Sequence, residues 1–281
     1  MNRKPGHIRP SNPWHMFTED GGDEQGEPKL EGRTPVFSFN CQSANESRFW
    51  NISERWGALK SFICLQSTAR SYGKYDASVE EWQTTHHVIW EAKAPERKKG
   101  NHDYQPAGLA IMAPKSFKNC LKQLRIATGE QTGRAMMCFF HTAGISVAVM
   151  NIYCWVQNHA HDSAGENAKI WNQVINWLQD LPQYTMIILC TDSNGHVGSY
   201  REFDPMVVTA DMDLLNLETL NYTERRTGEY PHIGPFNPEQ ENSNGKVFRQ
   251  FLEQANLIAT NTWTQEASTY TYLSLIHISE P

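Results

Sequence analysis

The sequence has 281 residues, of which 39% are hydrophobic and 20% charged, and its net charge at pH 7 is −6. This composition excludes a chain that is disordered throughout, because such chains contain too few apolar residues to form a core. No run of about 18 apolar residues is present, so the sequence predicts no membrane-spanning helix. The negative net charge means that any nucleic-acid binding depends on a local basic patch.

The first 33 residues differ in character from the rest of the chain. They are rich in proline, glycine and charge and have no apolar period, which predicts a disordered leader over 1–33 and a folded domain from residue 34. No apolar segment typical of a secretory signal is present. None of the six cysteines forms a Cys-x-x-Cys pair. Buried free thiols in an intracellular protein, nuclear or cytoplasmic and not secreted, are therefore expected.

Strands dominate the predicted elements. Apolar or β-prone runs predict strands at 35–40, 62–66, 87–90, 108–112, 135–141, 145–153, 185–190 and 257–262. Large apolar residues at helical spacing predict helices at 56–62, 166–181 and 245–256. Strands that are apolar throughout are typical of sheets covered on both faces, so the pattern favours packed sheets covered by helices.

Polar side chains follow several of these strands. Asp192 and Asn194 come directly after a fully apolar run, where a carboxylate and an amide offer oxygen ligands for Mg²⁺ and a donor for a phosphate oxygen. An ordinary turn is the alternative, since Asp and Asn are common turn residues. Asn40 and Tyr153 end earlier strands, where a cap residue and a core aromatic are the alternatives. No motif of a serine hydrolase, P-loop NTPase or Rossmann fold is present.

The order of these polar strand ends resembles that of the endonuclease/exonuclease/phosphatase superfamily. The segment Asn242-Ser243-Asn244-Gly245 makes the chain most similar to the endonuclease domain of non-LTR (LINE-type) retrotransposons and their host-encoded relatives. The resemblance extends from Val36 to Tyr272 and implies one domain over 34–272. It implies a four-layer α/β sandwich, in which two mixed β-sheets lie face to face with helices outside.

The resemblance also implies an activity. Members of this superfamily bind one or two Mg²⁺ or Mn²⁺ ions and hydrolyse phosphodiesters by in-line attack of water, with DNA as the expected substrate here. The resemblance implies no organic cofactor and no membrane contact, and it leaves protein partners open. Matched by motif, Asn40 would help to position the metal, Tyr153 would orient the phosphate, Asp192 would hold the metal or the nucleophile, and Asn194 would bond a phosphate oxygen.

The sequence departs from the family pattern at the metal site and at its end. The family places a metal-binding Glu after Leu-Gln, whereas Leu65-Gln66 is followed by Ser67. After Tyr272 the family continues to a last strand and an Asp-His pair, which this sequence lacks. The residues at 273–281 resemble a translated sequencing adapter, so we expect a C-terminally truncated domain with an artefactual tail.

Three functions remain open from the sequence. The first is a metal-dependent DNA endonuclease domain of retroelement origin that is weakened or inactive in this copy. The second is a non-catalytic remnant that binds nucleic acid or protein. The third is a phosphatase of the same superfamily that acts on small phosphate esters, which the negative net charge favours.

Overall fold

The computed structural model describes residues 34–71, 79–95, 107–157, 162–197, 232–233 and 241–259. The predicted leader at 1–33, the tail at 273–281 and the end of the strand predicted at 257–262 lie outside these residues. The proposed domain boundaries therefore stay predictions.

The first sheet has five strands in the spatial order β1-β2-β5-β4-β3. Its strands are β1 (Val36–Asn40), β2 (Phe62–Gln66), β3 (Val79–Gln83), β4 (His87–Ala92) and β5 (Leu109–Pro114). The pair β1 and β2 is parallel, and the other neighbours are antiparallel. Strands β2, β4 and β5 are buried along their whole length, which accounts for their mostly apolar sequences.

The second sheet has four described strands in the order β6-β7-β8-β9. They are β6 (Leu121–Ile126), β7 (Ala135–Thr142), β8 (Ile145–Tyr153) and β9 (Met186–Asp192). The pair β8 and β9 is parallel, whereas β6, β7 and β8 are antiparallel to one another. Both sheets are therefore mixed.

The two sheets pack face to face and carry helices on their outer faces. A shared apolar core joins Trp90 of the first sheet to Phe140 of the second. Helix α1 (Glu46–Gly57) covers the outer face of the first sheet, and helices α2 (Ser163–Gln179) and α3 (Ser243–Ala255) cover that of the second. This arrangement confirms the predicted four-layer α/β sandwich. Among the described residues, no helix is both long and apolar enough to cross a bilayer.

The helix predicted at 56–62 is wrong, because α1 begins and ends earlier. Its N-cap is Asn45, whose side-chain oxygen accepts a hydrogen bond from the Arg48 backbone amide at 2.9 Å. The helix ends at Gly57, and Lys60 has a positive φ of 47° that breaks the helical path. Phe62 then pairs with Val36 as the first residue of β2.

Strands β3 and β6 were missed because they lie at sheet edges and are only partly buried, so they lack a continuous apolar run. The strand predicted at 257–262 is not formed over its described part. There, Ala259 forms an isolated bridge with Ile233.

A buried histidine links α1 to the first sheet. His87 Nε2 lies 3.1 Å from the Ser61 carbonyl oxygen, so this nitrogen carries the hydrogen and donates it. Nδ1 is then an acceptor for the Ser53 hydroxyl of α1 at 2.8 Å. Burial lowers the pKa of His87, and the nearby His86 lowers it further. The hydrogen bond to the Ser61 carbonyl oxygen and the nearby Glu54 oppose this lowering. The network therefore requires a neutral imidazole.

We expect acid to weaken the fold through His87. Because the unfolded chain binds a proton at His87 more readily than the folded protein does, the free energy of unfolding should fall as the pH drops through about 6.5. Urea unfolding at pH 7.5 and 5.5 measures this difference. His87→Asn should reduce the difference, whereas the control His86→Asn, at a half-exposed neighbour, should retain it. An equal pH dependence in both variants would contradict the role of His87.

Candidate functional site

Three strands end together at one edge of the sandwich. Asn40 is the last residue of β1, Tyr153 the last of β8 and Asp192 the last of β9. Tyr153 and Asp192 are partners in the parallel register of the second sheet. Across the sandwich, Asn40 Nδ2 donates a hydrogen bond to Asp192 Oδ2 at 2.5 Å. The structure thus brings predicted site residues from both sheets into one place.

A buried amide pair lies beneath this edge. Gln66 Nε2 donates to Asn151 Oδ1 at 2.6 Å, which joins β2 to β8 across the interface between the sheets. Asn151 Nδ2 donates to the carbonyl oxygens of Leu65 and Ala110, each at 2.9 Å. Gln66 also donates to Ser38 Oγ at 3.0 Å. Asn40 lies next to Gln66 in the register of the first sheet. The Gln66–Asn151 hydrogen bond therefore fixes the position of Asn40 relative to the second sheet.

Asp192 is the carboxylate of the site. Its Oδ2 accepts from Asn40, and its Oδ1 accepts from the Asn194 backbone amide at 3.2 Å. Burial raises the pKa of Asp192, while the hydrogen bonds from Asn40 and Asn194 oppose this rise. A carboxylate with a raised pKa is a stronger proton acceptor than an exposed one, which suits it to orient and deprotonate a water molecule.

Asn194 lies in the turn that follows β9. Its φ of 45° is left-handed, a conformation that Asn tolerates better than most residues. Its Nδ2 donates to the Cys154 carbonyl oxygen at 2.8 Å, which connects the turn to the end of β8. Among the described residues, the Cys154 carbonyl oxygen is the acceptor that this amide group contacts.

A buried arginine lies behind Tyr153. The Arg134 guanidinium is 5.3 Å from the centroid of the Tyr153 ring and 3.6 Å from that of Trp155. Arg134 is only 1% exposed. Such stacking on aromatic faces is favourable for a guanidinium. The Arg134 guanidinium therefore places a positive charge close to the strand ends and packs on the ring of Tyr153.

Ser67 is the residue that the resemblance predicts at the place of a metal-binding Glu. It directly follows β2, is buried and has a positive φ of 55°. Its carbonyl oxygen accepts from the Ser43 backbone amide at 2.7 Å. Arg48 lies in the same region, where its Nη1 donates to the carbonyl oxygens of Cys41 and Ser43 at 3.0 and 2.7 Å. Arg48 therefore brings a second cation to the edge near Asn40.

Two buried cysteines directly follow strand ends at this edge. Cys41 follows Asn40 and Cys154 follows Tyr153, and burial raises the pKa of Cys41 to about 11 and that of Cys154 well above its usual range. A thiol attacks as the thiolate, which is scarce near neutral pH under these conditions. All six cysteines are buried and free, as predicted.

The residues present do not fit a tightly held divalent cation. Mg²⁺ prefers several oxygen ligands with more than one carboxylate or phosphate among them. Here Ser67 is neutral, and the atom of Asn40 that faces Asp192 is the donor Nδ2. Asn40 Oδ1 instead accepts from the Gln42 backbone amide at 3.1 Å. In the described part of the chain, no three His, Cys, Asp or Glu side chains are grouped to hold a metal.

Several contributors to this edge were not assigned a role from the sequence. Gln66 and Asn151 form the bridge between the sheets, and Arg134 supports Tyr153. Asn151 carried a usable signal, since it is the one amide in the otherwise apolar second half of β8. Arg134 carried none, because a lone arginine before a strand is ordinarily exposed.

No protein-family model matches the chain, and no curated protein matches it in sequence. Similar solved structures include the AP endonuclease LMAP from Leishmania major, at 10% identity and a TM-score of 0.44, covering 78% of this chain and 65% of that one. The catalytic domain of Xenopus laevis APE2 is similar at 13% identity and a TM-score of 0.42, covering 77% and 67%. Humanized D. rerio TDP2 is similar at 12% identity and a TM-score of 0.37, covering 62% and 69%.

The chain thus spans about two thirds of the length of each of these proteins. Likenesses at this level do not assign an activity to the chain, and the roles of the five predicted site residues stay predictions. The geometry alone defines an edge that combines a carboxylate, amide and hydroxyl groups and two nearby guanidinium groups.

The amide bridge should be needed for stability. Asn151→Leu keeps the size of the side chain but removes the amide that bonds two buried carbonyl oxygens and accepts one of the hydrogen bonds of Gln66. We expect the free energy of unfolding to fall by about 2–5 kcal/mol, measured in urea. The control Asn119→Leu, at an exposed position, should change it by less than about 0.5 kcal/mol. A similar small change in both variants would show that the bridge contributes little.

Proposed function

We propose that this chain is a phosphodiesterase-type domain of the endonuclease/exonuclease/phosphatase superfamily, of the retroelement endonuclease branch, and that it acts on the backbone of DNA. We further propose that hydrolysis is weakened in this copy because Ser67 replaces a carboxylate. The observation that carries the proposal is the Asn40–Asp192 hydrogen bond, which unites the polar ends of two strands from opposite sheets.

The charges and donors at this edge support a phosphate ligand. The protein is acidic as a whole, yet Arg48 and Arg134 lie beside the strand ends. A local positive potential of this kind attracts a phosphodiester even to an acidic protein. Amide and hydroxyl groups fix the orientation of phosphate oxygens, and Asn40, Tyr153 and Asn194 bring such groups to the edge.

Asp192 would act on the attacking water. Its carboxylate accepts the proton as the water oxygen forms a bond to phosphorus, and the bond from phosphorus to the leaving sugar oxygen breaks. The leaving oxygen then takes a proton from solvent. In the superfamily, a divalent cation neutralises charge on the phosphate during this reaction. Since the residues around Asp192 hold such an ion poorly, we expect slow hydrolysis by the natural sequence.

Binding without cleavage is the second candidate function. The observation that favours it is the neutral Ser67 directly after β2, where the resemblance predicts a metal-binding Glu; its neutrality weakens the catalytic groups and leaves the phosphate-binding ones intact. DNA retardation that falls with salt, with no nicking at any Mg²⁺ concentration, would support this candidate.

Restoring a carboxylate at position 67 should restore activity. Ser67→Glu adds an acidic side chain directly after β2, so Mg²⁺ affinity and the Mg²⁺-dependent nicking of supercoiled plasmid should both rise, the latter by about tenfold or more. Ser67→Gln is the matched control, because it has the same shape without the charge, and it should bring no gain. Equal behaviour of the Glu and Gln variants would mean that position 67 does not face the metal.

The nicking gained in this way should depend on Asp192. Asp192→Asn in the Ser67→Glu chain removes the proton acceptor with little change of shape, and the nicking rate should fall by about 100-fold or more. Asp180→Asn is the control at an exposed carboxylate that pairs with Arg125, and it should nick at the parent rate. Nicking that survives Asp192→Asn would remove Asp192 from the proposed site.

A further inference from the structure

Asn244, on the first turn of α3, has an unusually complete set of contacts. It is 1% exposed. Its Nδ2 donates to the carbonyl oxygens of Asn194 and Trp155 at 2.9 and 3.0 Å. Its Oδ1 accepts from the Ser163 hydroxyl at 3.1 Å. One side chain therefore ties together the turn after β9, the segment after β8 and the start of α2.

These contacts lead directly to the carboxylate. Asn244 holds the carbonyl group of Asn194, whose backbone has a left-handed φ of 45°. The backbone amide of Asn194 donates to Asp192 Oδ1, and the Asn194 side chain donates to the Cys154 carbonyl oxygen. A change in the Asn194 backbone would therefore alter the hydrogen bonding of Asp192 itself.

The backbone around Asn244 leaves little room for adjustment. A Cβ atom on Gly245 would lie 1.8 Å from the His196 carbonyl oxygen, and one on Gly195 would lie 2.5 Å from the Gly245 nitrogen. Only glycine permits this approach of α3 to the turn after β9. The close contact accounts for the glycine in the segment Asn242-Ser243-Asn244-Gly245 and fixes Asn244 opposite Asn194.

We propose that Asn244 is a positioning residue that holds Asn194, and through it Asp192, in the arrangement needed for phosphodiester hydrolysis. Both hydrogens of its amide group are needed, because both partners on this side are carbonyl oxygens. The proposal deepens the proposed function and rests on it for the activity measurement, whereas the contacts themselves are tested independently of activity.

Neighbouring residue Asn242 supplies a matched control. Its Oδ1 caps α3 by accepting from the Gly245 amide at 2.8 Å, and it also accepts from the His196 amide at 3.1 Å. Asp keeps this oxygen and is favourable at a helix N-cap. Asn242→Asp and Asn244→Asp are thus the same chemical change two residues apart on one helix. Only Asn244→Asp replaces a required NH₂ group, which donates to the carbonyl oxygens of Asn194 and Trp155, by an oxygen that faces them.

The experiment compares these two variants in the Ser67→Glu chain by plasmid nicking and by ¹H–¹⁵N NMR. We expect Asn244→Asp to lower kcat by about 10–100-fold with KM little changed, and Asn242→Asp to leave both near the parent values. The backbone and side-chain amide resonances of Asn194 should shift in the first variant and stay in place in the second. Asn244→Ser, which keeps one donor, serves if Asn244→Asp does not fold, and should show the same effects to a smaller extent.

Equal kcat values for the two Asp variants, or Asn194 resonances that do not respond to position 244, would overturn the positioning role. If the Ser67→Glu parent does not nick DNA, the proposed function fails. The Asn194 resonances then still decide whether Asn244 positions the turn, so the two failures are distinguishable.

Discussion

The hydrogen bond between the buried amides of Gln66 and Asn151 sets the geometry of the whole site edge. Two apolar sheet faces can pack in several relative positions with similar burial, because the hydrophobic effect is not directional. A buried amide pair has no such freedom, since a shift would leave its donors and acceptors unpaired at about 1–3 kcal/mol each. Asn40 is the register partner of Gln66, and Asp192 is the partner of Tyr153, two residues beyond Asn151. The Asn40–Asp192 contact is thus a consequence of the bridge beneath it.

The edge combines one buried carboxylate with amide groups and two nearby guanidinium groups. Asp192 keeps a raised pKa and two donors on its carboxylate, while Arg48 and Arg134 supply positive charge from either side. Such a set of groups suits a phosphodiester better than a free cation. On the proposed function, a neutral Ser67 in place of a carboxylate affects hydrolysis more than recognition of the phosphate.

The sequence predicts those parts of the fold whose residues are buried on both faces. Strand β8 and the run into Asp192 are recognisable from continuous apolar residues with a polar end, and the site edge follows from such ends. The edge strands β3 and β6 are only partly buried and gave no comparable signal. The role of Asn244 could not be predicted, because it depends on contacts with residues 50 or more positions away.

A crystal structure of the natural chain with a short DNA duplex would test the central claim most directly. The account predicts a backbone phosphate at the edge where β1, β8 and β9 end, within hydrogen-bond distance of at least two of the side chains of Asn40, Tyr153 and Asn194. DNA bound at any other surface, with this edge free of phosphate, would contradict the account.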